Sequence, residues 1–210
     1  MNKLTEPNKN CSKCKRLYNF RKENKSNNPE WFNAPVPSFG DFSSSLLIVG
    51  LAPGLQGANK TGRPFTGDYA GDLLYKTIYK FGLSNGKYKG SIDDNLSLEN
   101  CTITNAVRCV PPKNKPISEE INNCNIFLQN TINKHKNLKV IIALGLIAHK
   151  SIISALNLQQ KLYKFKHGNK HYFNNFIMID SYHCSRYNTN TGRLNEKMFE
   201  NIFSEAKKEI

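Results

Sequence analysis

Four runs of unbroken apolar character, at residues 46–50, 102–107, 139–144 and 176–180, constrain this 210-residue chain more than any other feature. A strand with one wet face alternates apolar and polar residues, whereas a strand that is apolar throughout must be covered on both faces, as in a parallel sheet. Between the runs lie segments of helical character: residues 72–81, a stretch opening at Ser118 with Glu119 and Glu120, residues 148–156, and residues 195–208. Ser118 and Asn195 read as helix N-caps. Alternating strand and helix predicts an α/β chain: a three-layer α/β/α sandwich around a central four-stranded, mainly parallel sheet. Residues 46–210 form the expected domain. Residues 1–45 show several Pro and no period, and are expected to pack on it as an irregular arm. Residues 162–173, with His167, Gly168 and Asn169 at their centre, read as a small hairpin.

Composition then narrows the function classes. An apolar content of 39% with 10% aromatics excludes disorder along the whole chain. No run approaches the roughly 18 apolar residues of a membrane helix, so no membrane role is expected. Residues 1–25 carry no apolar stretch of the kind a secretory leader has, which places the expected site of action in the cytoplasm. Thirty Lys and Arg against 16 Asp and Glu leave a net charge of +14. Such an excess attracts polyanions, nucleic acid first. Part of it is compositional, since 24 of the cations are Lys in a chain also rich in Asn and Ile.

Six cysteines are too few for a disulfide scaffold, and metal or redox chemistry is the better expectation. Cys11 and Cys14 form a CxxC, Cys109 follows the second run, and Cys124 lies one turn into the next helix. A CxxC presents two thiolates on one turn, and two further Cys complete a four-thiolate site for zinc or an iron–sulfur cluster. Ligands of open α/β sheets bind outside the carboxyl ends of the strands. Two long polar loops occupy that edge, Gly50 to Asp68 after the first run and Ser181 to Leu194 after the fourth. Gly54, Asn59, Lys60 and Thr61 also approach the phosphate-binding pattern GxxxxGK[ST], with residues 176–180 ending in an Asp suited to Mg²⁺. Asn59 stands there where the pattern needs Gly. A P-loop-like nucleotide hydrolase and a non-catalytic, zinc-bound nucleic-acid module are therefore the competing readings.

Taken together, GLAPGLQGANKTGRPFTGDYAGD (50–72), SYHCSRYNTNTGRL (181–194) and the four Cys resemble the uracil-DNA glycosylase superfamily, family 5 in particular. The resemblance implies a monomeric DNA repair enzyme. It would flip deaminated bases, uracil and also hypoxanthine and xanthine, out of damaged DNA and hydrolyse the N-glycosidic bond, leaving an abasic site. It implies a [4Fe-4S] cluster on Cys11, Cys14, Cys109 and Cys124. It further implies His183 as donor to the leaving base, Asn105 as the group recognising base and sugar, and Phe65 stacking on the base, with Ala52, Gly54 and Leu55 beside it. Ala52 stands where other branches have a polar group for water, and Asn59 is the nearest substitute, with Asp68 or Asp72 as assistants or helix caps. Ser185, Arg186, Tyr187 and Lys60 are the expected DNA contacts. Cys184 replaces the usual Pro after the His, which suggests an exposed thiol.

Overall fold

In the computed structural model, which describes residues 5–210, every one of the four apolar runs contributes a strand with all residues buried. The strands, in chain order, are β1 (Phe39–Gly40), β2 (Leu46–Gly50), β3 (Ser84–Asn85), β4 (Ser97–Leu98), β5 (Cys101–Asn105), β6 (Val140–Leu144), β7 (Lys170–Tyr172) and β8 (Ile177–Ser181). The helices are α1 (Lys15–Asn27), α2 (Ala58–Thr61), α3 (Tyr69–Lys80), α4 (Ser118–Lys134), α5 (Leu146–Ala155), α6 (Arg186–Asn190) and α7 (Glu196–Lys207). None of these helices is long and apolar enough to cross a membrane.

The main sheet runs β1-β5-β2-β6-β8-β7. Its four central strands are parallel, with Ile48 level with Ile103 and Ile142, and Ile142 level with Ile179. The expected four strands are thus the inner part of a six-stranded sheet, and the two additions are short antiparallel edges. Continuous hydrophobicity resolves into two cores. Leu46, Ile48, Ile103, Ile142 and Ile179 pack with Leu74 and Ile78 of α3 and Phe199 and Phe203 of α7. Leu47, Val49, Ile141, Ala143 and Met178 face the other way, onto Leu128 and Ile132 of α4 and Ile152 and Ile153 of α5. Alternate residues along a strand point to opposite faces, so both sets must be apolar when helices cover both sides.

Three local expectations are corrected. The arm is not irregular throughout: Lys15–Asn27 form α1, and Phe39–Gly40 join the sheet as β1. The helix escaped notice because its buried positions include Arg21 and Asn24 beside Leu17, so no apolar stripe marks it. Residues 162–173 are not a hairpin of their own. β7 pairs instead with β8, Lys170 opposite Ile179, and residues 163–169 loop over the carboxyl end of β8. Ser118 is the first helical residue and not the cap; Ile117 caps α4, and its N–H donates to Glu120 Oε2 at 2.9 Å. Asn195 does cap α7, accepting from Met198 N–H at 2.8 Å.

Candidate active site

Parallel strands bring their carboxyl ends to one edge, and here that edge holds a cavity of about 710 Å³. Asn105 ends β5, Leu144 ends β6 and leads into Gly145, and His183 follows β8 by two residues. The loop after β2 supplies Ala52, Gly54, Phe65 and Asp68 to the same cavity. A strand-end glycine makes this meeting feasible. A Cβ on Gly50 would stand 2.4 Å from both Asn105 Oδ1 and the Phe65 ring.

Phe65 is 6% exposed and takes a left-handed backbone, φ 54°, which costs a bulky residue of order 1–3 kcal/mol and persists only when its surroundings dictate it. Those surroundings are specific. The Tyr75 hydroxyl donates to Pro64 O at 2.7 Å, the Tyr88 hydroxyl donates to Phe65 O at 3.2 Å, and a Cβ on Gly71 would collide with that same carbonyl. Arg63 secures the loop from the other side, donating to Thr66 Oγ1 at 2.7 Å, to both Asp94 carboxylate oxygens at 2.8 and 2.7 Å, and to Ser91 O. The Phe65 ring lies nearly parallel to the His183 ring, centroids 6.0 Å apart.

The polar groups of the cavity are in distinct states. Asn105 lines the cavity, and its Oδ1, buried beside Gly50, has no hydrogen-bond partner among the described residues. Removal from water pushes the His183 imidazole down to about 4, so it is neutral near pH 7. The Asp68 carboxyl is lifted above its ordinary value by burial first and by the neighbouring Asp72 charge, against a lowering bond from Gly71 N–H. That bond, at 2.9 Å, makes Asp68 the cap of α3, and its carboxylate lies beside Gly54. At the mouth, Ser185 caps α6, and Arg186 lies over the Tyr69 ring at 5.2 Å.

Other expected site residues fall elsewhere. Asn59 does not line the cavity: it is fully buried in α2 and donates to Asn33 Oδ1 at 2.9 Å. Asp68, and not Asn59, is the loop's polar side chain on the cavity. Leu55 and Lys60 also lie off the cavity, Lys60 against the Trp31 ring, and Tyr187 is 72% exposed beyond the mouth. Cys184 is fully buried, its thiol donating to Ala70 O, so the expectation of an exposed thiol is withdrawn. The nucleotide-hydrolase alternative loses its Mg²⁺ carboxylate as well, because Asp180 is buried between His149 and His171. Sequence reasoning missed Phe165, Tyr182 and Arg193, which line the cavity from the far side. Phe165 carried no signal, since 163–169 is a loop without period, whereas Tyr182 and Arg193 lie in the 181–194 segment, where they were given no role.

A second, smaller cavity lies behind Ala52 and is lined by all four expected ligands, Cys11, Cys14, Cys109 and Cys124. Leu17, Val107 and Phe127 pack around it, with Ala52 touching the same cluster. Burial pushes the Cys109 thiol up to about 12 and the Cys124 thiol up to about 11, and Cys14 is raised too; each is raised further by the other cysteines. Facing thiols of this kind become thiolates only when a cation compensates them. Arg108 N–H donates to Cys124 Sγ at 3.3 Å, a bond of the kind that tunes a cluster.

Comparison with known proteins agrees with this geometry. The family described as the Uracil DNA glycosylase superfamily matches residues 37–207. The chain is 40% identical to the type-5 uracil-DNA glycosylase of Thermus thermophilus, over 94% of this chain and 93% of that protein. It is 35% identical to the type-5 uracil-DNA glycosylase of Pyrobaculum aerophilum, over 94% and 88%. The type-4 uracil-DNA glycosylase of the same organism is 36% identical, over 74% and 66%.

Proposed function

The chain belongs to the uracil-DNA glycosylase superfamily and is an enzyme of that type, and from this premise we propose that it excises uracil, and also hypoxanthine and xanthine, from damaged DNA. One observation carries the reading: Asn105, Phe65, His183 and Asp68, from three separate chain segments, meet in one cavity at the carboxyl edge of the sheet. The target nucleotide is swung out of the duplex into that cavity, at a cost of a few kcal/mol that is least for a mispaired base. Phe65 stacks on the base. Asn105 presents a free carbonyl oxygen to a ring N–H and an amide to an exocyclic oxygen, a pairing that uracil and the oxidised face of hypoxanthine and xanthine share.

Hydrolysis moves one electron pair onto the base as the bond from C1′ to nitrogen breaks, and one water oxygen onto C1′. Neutral His183 donates to the base oxygen where that charge develops, a contribution of roughly 3–4 kcal/mol for a well-aimed donor. Asp68, ionised, orients the water and takes its proton. Arg186 and Ser185 at the mouth, with Tyr187 and Lys60 further out, contact the DNA. Positive charge on this scale makes affinity fall steeply with salt. The enzyme works as a monomer in the cytoplasm.

Cys11, Cys14, Cys109 and Cys124 hold a [4Fe-4S] cluster. When bound, the cluster supplies iron–thiolate bonds that fasten the segment before α1 to the sheet and to α4. Through Ala52, the packing around these cysteines also backs the wall of the active site.

The deciding experiment uses duplex DNA with a single uracil, hypoxanthine or xanthine, incubated with the enzyme and then treated with alkali. Strand breakage at the lesion is expected for all three; intact strands at uracil would overturn the reading. Iron analysis of the same preparation distinguishes the zinc-bound module, for which a colourless, zinc-loaded protein is required.

A further inference from the structure

Outside the reacting groups, His149, Asp180 and His171 form a buried polar cluster, 2%, 0% and 8% exposed. Asp180 is the fourth residue of β8, three before His183. Its Oδ1 faces His149 Nδ1 at 2.7 Å, and its Oδ2 faces His171 Nε2 at 2.9 Å. The second ring nitrogen of His149 faces the Tyr163 carbonyl at 3.0 Å. A carbonyl only accepts, so His149 donates to Tyr163 from Nε2, while its Nδ1 shares a proton with Asp180 Oδ1.

Everything these groups hold belongs to residues 163–169. Lys166 N–H donates to Asp180 Oδ2 at 3.3 Å, and Gly168 N–H donates to Asp180 O at 2.8 Å. The Phe165 ring stands edge-on to His149, centroids 5.7 Å apart. From that position Phe165 lines the cavity, beside Tyr182, whose N–H donates to His167 Nδ1 at 3.0 Å. The three ligand-like atoms lie within 4.8 Å of one another, but their partners are satisfied as hydrogen bonds at hydrogen-bond lengths.

We propose that Asp180, bridged by His149 and His171, is a positioning residue for base excision: it fastens residues 163–169 over the sheet edge so that Phe165 forms the wall against which the extruded nucleotide is seated. This rests on the glycosylase reading. The wall binds substrate before the bond breaks, so loosening it weakens seating more than chemistry.

The test compares wild type, His149→Gln, Phe165→Ala and the double variant, all with cluster loaded, on uracil duplex. A glutamine donates to Asp180 but cannot also reach Tyr163 O. Each single variant is expected to raise KM about fivefold with kcat changed less than about twofold, and the double variant to do no more than the larger single, because both act through one wall. Nitrogen NMR of the wild type is expected to show hydrogen on Nε2 of His149. A fall in kcat at unchanged KM, as a lowered fraction of folded enzyme gives, would overturn the proposal. So would additive effects in the double variant, a bare Nε2 on His149, or a stoichiometric zinc lost on His171→Ala. Absence of excision by the wild type would bring down the glycosylase reading and the positioning role with it, and is seen before any variant is made.

Discussion

Removal from water acts in opposite senses on the two titrating groups of the cavity, holding the His183 imidazole down at about 4 and lifting the Asp68 carboxyl. His183 therefore stays neutral from alkaline pH to well below 6, and under the proposed mechanism, in which ionised Asp68 takes a proton from water, the acid limb of activity belongs to Asp68. We expect kcat/KM on uracil duplex to fall with a single protonation on the acid side, at a pH above the ordinary carboxyl value of 3.8. Asp68→Asn should lower the rate by about 10²-fold or more and flatten that limb. His183→Gln should lower it by about 10²–10³-fold and leave the limb in place; a limb that survives Asp68→Asn would assign the base elsewhere. The same depression has a sign for stability. Unfolded His183 takes its proton near 6.5 and folded His183 not until about 4, so its contribution is present above that range and lost as pH falls through it. At this scale the flanking residues of His183, Asn105 and Phe65 are distinctive, and all three line the cavity. The sequence misdirected at Asn59, because spacing along a loop does not reveal which side chain turns inward to Asn33 and which turns to the cavity.

Among the elements, the loop from α2 to α3 depends on a partner distant in sequence. The Arg63–Asp94 pair is 5% and 0% exposed, and Arg63, by its hydrogen bonds, holds the Asp94 carboxyl down at about 2. Removing one member of such a pair strands the other in the core. Asp94→Ala is expected to cost about 3–5 kcal/mol in denaturant unfolding, and to slow excision because Phe65 loses its anchor. A depressed carboxyl contributes stability above its unfolded value of 3.8 that is lost as pH falls from there towards about 2; the variant should lack that acid-sensitive component. A cost under about 1 kcal/mol would mean the loop is held by the tyrosines alone. The four inner strands were legible because burial on both faces writes itself as unbroken hydrophobicity. β1, β7 and α1 were not: the strands are two and three residues long at sheet edges, and α1 buries a guanidinium and an amide. Their stability comes from partners far along the chain, which no local pattern encodes.

For the whole molecule, the cysteine site links the ends of the argument. Cys11 and Cys14 precede α1, whereas Cys109 and Cys124 belong to the sheet edge and α4, so closing the site ties a long loop that metal–ligand bonds must offset. Cys109→Ser is expected to lose the visible absorbance and iron of the cluster and to lower Tm by several degrees while retaining far-ultraviolet helix and strand signal, since the two main cores do not include the site. Unchanged iron content would show that these four thiols are not its ligands. Of the 30 Lys and Arg behind the charge of +14, Arg186 and Arg193 line the cavity. The parallel arrangement of β5, β2, β6 and β8 has one further outcome. Their amino-terminal edge bears none of the groups that meet substrate, and Lys136 and Asn137, in the turn entering β6, are exposed there. The molecule thus has a working face and a blank one. A fluorophore or surface tether attached at position 136 would leave the approach of DNA open, so that single excision events can be watched on immobilised enzyme.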